Sequence, residues 1–301
     1  MEKKANTYNI RRNNLAAQIV NKTLNQISED TARTIIIVGS KSVGKSSLLH
    51  SFLEKSDRPR ETLVLEYSFG RKSSQKQGIE KIICHVWEYG GRLEMLRNVL
   101  VSIPVTGRFF LCIMVDLSKI KTVWNTLETC IQIVSDSYIN SLPELIIIGG
   151  KYDVYKNYDG DMKKNISTTL RSMAVLYNAH LLFYTNKEPQ LVRKAKEVFY
   201  NIGFGNGIPF REKNTNYTKP LMIPRGSDNW DSIGVPSSTL EQIKMRHLSR
   251  IPSEGEMKQE VKGLQRSHPE PALDSLVALK YEELHNLETF DPSIDEYLML
   301  L

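Results

Sequence analysis

Residues 39–46 read Gly-Ser-Lys-Ser-Val-Gly-Lys-Ser, a GxxxxGK[ST] spacing suited to binding phosphate. Gly39 and Gly44 permit a tight backbone that turns successive N–H groups toward a β-phosphate, with Ser42, Val43 and Ser47 completing the cradle. Lys45 would reach the β/γ-phosphates, and the Ser46 hydroxyl would ligate Mg²⁺. A helix predicted over 45–54 adds its positive N-terminal end to the same place. The chemistry implied is capture of a nucleoside di- or triphosphate.

The elements that must hold this loop follow from the apolar pattern. Strands are predicted at 34–38, 62–67, 82–87, 109–115, 144–149 and 180–184, and helices at 45–54, 92–101, 120–138, 161–177 and 188–201. Four of the strands are continuous apolar runs, as expected where helices cover both faces of a parallel sheet. The 62–67 and 82–87 runs follow one another with no helix between and suggest an antiparallel hairpin. The order implies an α/β fold, a six-stranded doubly wound sheet on the plan of the Ras-like P-loop GTPases.

On that plan each further motif has an expected strand end. After the third strand stand Glu88-Tyr89-Gly90-Gly91, where DxxG belongs. Gly91 keeps the glycine that senses a γ-phosphate, and Glu88 replaces the Asp of the Mg²⁺ shell with one extra methylene. Arg92 stands where a water-orienting Gln is usual. The fifth strand ends in Gly150-Lys151-Tyr152-Asp153, NKxD with Gly150 in place of the Asn that braces this loop against the phosphate loop: Asp153 could accept from guanine, and the Lys151 stem could cover the base. Thr185-Asn186-Lys187 loosely match the SAK loop, and switch I falls between Asp57 and Thr62, with Thr62 as the candidate threonine. The site either holds GTP or GDP with Mg²⁺ or stands empty. No residue is assigned a catalytic role, because the groups that position Mg²⁺ and water are the ones replaced.

The chain has 301 residues, 41% hydrophobic and 25% charged, enough for one domain with appendages and typical of globular proteins. No apolar stretch reaches the length of a membrane span, and the polar, basic residues 1–14 lack the apolar core of a secretion signal. The net charge of +6 is spread along the chain with no nucleic-acid-binding motif. Cys84, Cys112 and Cys130 are isolated, in two strands and a helix, and read as buried thiols. Three segments are expected: an amphipathic helix within 1–30 carrying Leu15, Ile19, Val20 and Leu24; the G domain, 31–205; and an extension, 206–301, mostly coil, with an amphipathic helix near 273–287.

The run 63–72, LVLEYSFGRK, with VWEYGG at 86–91, resembles the light intermediate chains of cytoplasmic dynein, more particularly the dynein-2 branch that serves cilia. SIPVTG at 102–107, LPELIIIGGKYDV at 142–154 and KPLMIPRGSDNWDSIG at 219–234 extend the resemblance over about 34–234. The chain departs from the family in a short connection before Pro143 and in a tail after Ile251 that does not align. The resemblance implies a non-catalytic subunit of the motor for retrograde intraflagellar transport, bound to the dynein-2 heavy chain and other subunits and reaching microtubules indirectly. It implies residence in the cytoplasm and cytoskeleton and at the ciliary base and axoneme, with no nucleic acid and no membrane insertion. The alternative is an active Ras- or Arf-like switch, against which stand Glu88, Arg92 and Gly150.

Overall fold

The computed structural model describes residues 32–73, 81–138, 143–205, 212–251, 275–280 and 282–283. The chain divides into two compact units, 1–254 and 255–301. The predicted N-terminal helix lies outside the described residues.

The first unit is built on β1 (Ala32–Gly39), in which Ile35, Ile36, Ile37 and Val38 have no exposed surface. A strand buried on both faces needs apolar side chains at every position, and this run supplies them. β1 ends in the phosphate loop, which feeds α1 (Lys45–Leu53). β2 (Leu65–Ser73) and β3 (Lys81–Tyr89) form the expected antiparallel hairpin. A 3₁₀ turn at Leu93–Met95 and a short α2 (Leu96–Leu100) then divide what the sequence suggested as one helix. β4 (Arg108–Asp116), α3 (Ile120–Ser137), β5 (Glu144–Gly150), a single-turn α4 (Tyr152–Tyr155), α5 (Gly160–Leu176), β6 (His180–Phe183) and α6 (Pro189–Phe204) complete the predicted order. Asp159 caps α5 by accepting from the Met162 amide at 2.8 Å.

The strand order is β2-β3-β1-β4-β5-β6-β7, with β3, β1, β4, β5 and β6 parallel. One face packs beneath α2, α3 and α5, where Ile36, Val38, Ile113 and Ile147 meet Leu96, Leu127 and Leu170. The other packs beneath α1 and α6, where Ile35, Ile37, Cys112 and Ile148 meet Leu49, Phe52 and Phe199. The three cysteines are buried, and burial pushes the Cys84 and Cys130 thiols up to about 12.

The sheet differs from the six-stranded expectation. β7 (Met222–Ile223) adds a seventh strand antiparallel to β6, followed by α7 (Trp230–Ile233) and α8 (Leu240–Leu248). Residues 212–251, read from sequence as coil, pack on the domain: Leu221, Ile223, Ile243 and Ile251 enter the main core. Their apolar residues are too few and too widely spaced to announce a strand and a helix alone, and the sheet edge and α5 supply the missing surface. Arg171 on α5 fixes this segment with two hydrogen bonds to Asp228, at 2.7 and 2.8 Å, and one to Ser232 at 3.0 Å. Of the predicted C-terminal helix, residues 275–280 and 282–283 are helical, and Leu276, Val277 and Leu279 are exposed there. Among the described residues no helix is long and apolar enough to cross a membrane.

The Arg171–Asp228 pair gives a test. Burial disfavours the Asp228 carboxylate, but the hydrogen bonds from Arg171 and Ser232 outweigh it and hold the group below the usual carboxylate range. Its stabilising contribution is therefore full above the unfolded carboxylate pKa of about 4 and lost as pH falls through the lower folded value. Asp228→Ala leaves a buried guanidinium without its partner and should cost about 3–5 kcal/mol. Chemical denaturation should show that loss at pH 7 and a smaller difference from wild type as the acid limb is descended.

Candidate functional site

The phosphate loop is locked by backbone approach. The amide of Ser40 donates to the Met114 carbonyl at 2.8 Å, and a Cβ on Gly39 would lie 2.0 Å from that oxygen, so only glycine fits there. Gly39, Ser42 and Gly44 all have positive φ, at 127°, 55° and 107°, a conformation that gathers amides into an anion-binding concavity. The Lys45 side chain is buried and curls over the loop, its ammonium donating to the Ser40 carbonyl at 2.8 Å and the Gly39 carbonyl at 3.4 Å. Burial lowers its pKa, and nearby Glu88 opposes that shift.

Across from the loop stands Glu88, at the end of β3 and 2% exposed. Its Oε1 accepts from the Ser46 hydroxyl at 2.6 Å. Burial raises its pKa, while Ser46, Lys45 and Thr62 pull the other way. Two oxygens at this spacing suit one edge of an Mg²⁺ octahedron, about 2.9 Å for bonds of 2.0–2.1 Å, so Ser46 and Glu88 are the pair able to hold such an ion. Among the described residues there is no group of three His, Cys, Asp or Glu side chains placed to hold a metal without a ligand's help.

Loop and carboxylate enclose a cleft of about 210 Å³, lined by Ser42, Val43, Gly44, Lys45, Ser46 and Ser47 with Glu61, Thr62, Glu88 and Gly90. Thr62 is thus brought to the site, its hydroxyl donating to Glu66 at 3.1 Å. Glu61, to which the sequence gave no role, pairs with Lys41 of the loop at 3.4 Å on the exposed rim. Gly90 lines the cleft where Gly91 was expected. Gly91 lies instead against the Tyr89 ring, whose hydroxyl donates to the Arg92 carbonyl and would sit 2.6 Å from a Cβ on Gly91.

Lys151 and Asp153 lie outside the lining of this cleft, but their loop is built. Lys151 adopts the left-handed conformation, φ 60°, at the head of α4. Asp153 accepts from the Thr185 hydroxyl at 2.7 Å and from the Lys187 ammonium at 2.6 Å. Burial works against its charge, yet those two donors bring its pKa below the ordinary value. The loose Thr185-Asn186-Lys187 match therefore supplies the residues that orient the acidic group. Gly150 has a different meaning from the one read in sequence. A Cβ there would lie 2.5 Å from Val43 Cγ2 and 2.9 Å from the Val43 carbonyl, so the loop rests directly on the glycine backbone. That contact takes the place of an asparagine brace.

Gly150→Asn should consequently overpack the junction and destabilise the domain by about 1–3 kcal/mol, read as a lowered melting temperature. An unchanged or raised melting temperature would show that the loop can be braced by the side chain after all.

Residues 34–153 match the family model described as Ras of Complex, Roc, domain of DAPkinase. Over 84% of this chain and 84% of the relative, the sequence is 31% identical to cytoplasmic dynein 2 light intermediate chain 1 of Danio rerio. The protein of the same description from Homo sapiens is 30% identical, over 73% of each chain. Septum-promoting GTP-binding protein 1 of Schizosaccharomyces pombe is 24% identical over 52% of this chain and 77% of its own. A crystal structure of the dynein light intermediate chain's conserved domain aligns with a TM-score of 0.45 at 12% identity, covering 72% of this chain and 89% of that one. With identity sustained across more than four fifths of both chains and a Ras-like sheet carrying the phosphate loop, this chain belongs to the cytoplasmic dynein 2 light intermediate chain family.

Proposed function

We propose that the chain serves as a non-catalytic subunit of a dynein-2 motor, docking on the heavy chain to stabilise it for retrograde intraflagellar transport in the cilium. The observation that carries this reading is the relationship to dynein 2 light intermediate chains over 84% and 73% of the chain, beside a site with Glu88 in the place of the Mg²⁺-shell Asp and Arg92 in the place of the water-orienting Gln. Any guanine nucleotide is then held with Mg²⁺ by Lys45, Ser46 and Glu88 and used structurally. Bound nucleotide would supply negative charge that the loop amides and Lys45 neutralise, and Asp153 would orient the base. A switch needs two states separated by γ-phosphate contacts, and replacing the groups that read that phosphate narrows the gap between them.

The docking surface favoured by the structure is the face of the β2–β3 hairpin that no helix covers among the described residues. Tyr67, Phe69 and Ile83 are exposed there, and the Tyr67 ring lies tilted against Trp87 with centroids 4.7 Å apart. A contiguous apolar and aromatic face of this kind marks a protein interface. Such a surface suits a helical heavy-chain tail. Placement in the cytoplasm, at the ciliary base and along the axoneme follows from the same role.

Three measurements test the reading. Single-turnover GTP hydrolysis should proceed no faster than an unassisted small GTPase, on the order of 10⁻⁴ s⁻¹; turnover in seconds would revive the switch. Ile83→Glu should abolish co-purification of the dynein-2 heavy chain from ciliated cells while leaving the melting temperature within a few degrees of wild type. Retained heavy chain would refute docking through this face, and normal retrograde particle velocities in cells lacking the protein would refute the subunit role itself.

A further inference from the structure

β2 stands at the end of the sheet, paired with β3 on one side and with no other strand among the described residues. The Gly90 amide donates to the Val64 carbonyl at 2.8 Å. Even-numbered residues of this strand therefore turn their backbone groups toward β3, and antiparallel alternation turns those of Leu65, Tyr67, Phe69, Arg71 and Ser73 outward. The edge runs nine residues in unbroken register, without proline or bulge. Leading into it and along it, Leu63 is 82% exposed, Tyr67 44% and Phe69 58%. An unbroken nine-residue edge carrying exposed aromatic side chains is a template for another strand. Charged residues usually guard such an edge, but here Glu66, Arg71 and Lys72 are arranged so that the strand is complementary to itself.

We infer that β2 pairs antiparallel with β2 of a second copy of this chain, across a two-fold axis at Phe69. Outward-turned residues must meet outward-turned residues, so only registers pairing odd positions with odd positions are open. Setting Phe69 opposite its own copy places Glu66 opposite Lys72 of the second copy and Tyr67 opposite Arg71 of the second copy. Each pair then occurs twice by symmetry. Glu66 and Lys72 share one face of the strand, and Tyr67 and Arg71 the other, so both pairs are side by side as cross-strand neighbours. The first is an opposite-charge pair and the second a cation over an aromatic ring. A slip of two residues either way forfeits both. This self-complementarity selects a second copy over an unrelated strand. Tyr67 and Phe69 belong to both readings, but Glu66 and Lys72 lie on the opposite face of the strand and enter the pairing alone, and Ile83 enters the heavy-chain reading alone, so variants at these positions let one fail without the other.

The test is the association state of the full chain by sedimentation, with paired charge variants. Wild type should form a reversible dimer. Glu66→Lys sets like charges opposite one another at two places and should weaken dimerisation roughly tenfold or more. Adding Lys72→Glu to the same chain should restore it, which a merely misfolded variant would not do. Phe69→Cys should form an intermolecular disulfide under mild oxidation, because its two copies face each other within disulfide reach. Tyr67→Cys should not, because its copies are offset by four residues, about 14 Å. A wild-type chain that stays monomeric overturns the inference, even if β2 then takes up an extended peptide. So does a dimer indifferent to Glu66→Lys, or Tyr67→Cys crosslinking as readily as Phe69→Cys.

Discussion

The structure depends on β1 being buried on both faces while its last residue touches the strand beside it. Ile35 and Ile37 pack under α1 and α6, and Ile36 and Val38 under α2 and α3. That double burial leaves the strand no freedom to slide, since a shift of one residue would exchange its two packed faces. The phosphate loop inherits this rigidity through the Ser40 bond to Met114 and the Gly39 backbone against the same carbonyl. The loop's left-handed residues are stable because the sheet beneath over-determines them.

Within the site, burial and charge act against one another. Lys45 and Glu88 are both nearly removed from water, which disfavours the charged form of each. Each favours the charge of the other, and the Ser46 hydroxyl and the loop carbonyls supply the remaining hydrogen bonds. The pair is thus a closed polar network set into an apolar layer, with its members satisfied by the protein itself. A ligand phosphate would have to displace loop carbonyls from Lys45, and a cation would have to insert between Ser46 and Glu88.

The sheet is also asymmetric in its cover. Helices on both sides protect β1, β4, β5 and β6, and residues 212–251 close the far edge with β7 and the Arg171–Asp228 lock. At the near edge the hairpin reaches past α2 and α3, leaving aromatic side chains of β2 and β3 in the open. The exposed strip of the hairpin runs from Tyr67 beside Trp87, near the end of β3 that delivers Glu88, to Ile83 level with the start of β1.

Local pattern alone determined much of this protein. Continuous apolar runs gave the parallel strands, the missing helix between 67 and 82 gave the hairpin, and glycine spacing gave the phosphate loop, because backbone constraints of that kind are written residue by residue. Tertiary structure decided what pattern cannot encode. β7 and α8 form only because a sheet edge and the flank of α5 are there to receive a few scattered apolar residues. Gly150 reads in sequence as a lost brace, yet its missing side chain is what lets Val43 rest on the β5 backbone. Gly90 rather than Gly91 reaches the cleft because the Tyr89 ring occupies the space beside Gly91. Each of these is a distance between residues far apart in the chain, and such distances exist only once the core has packed.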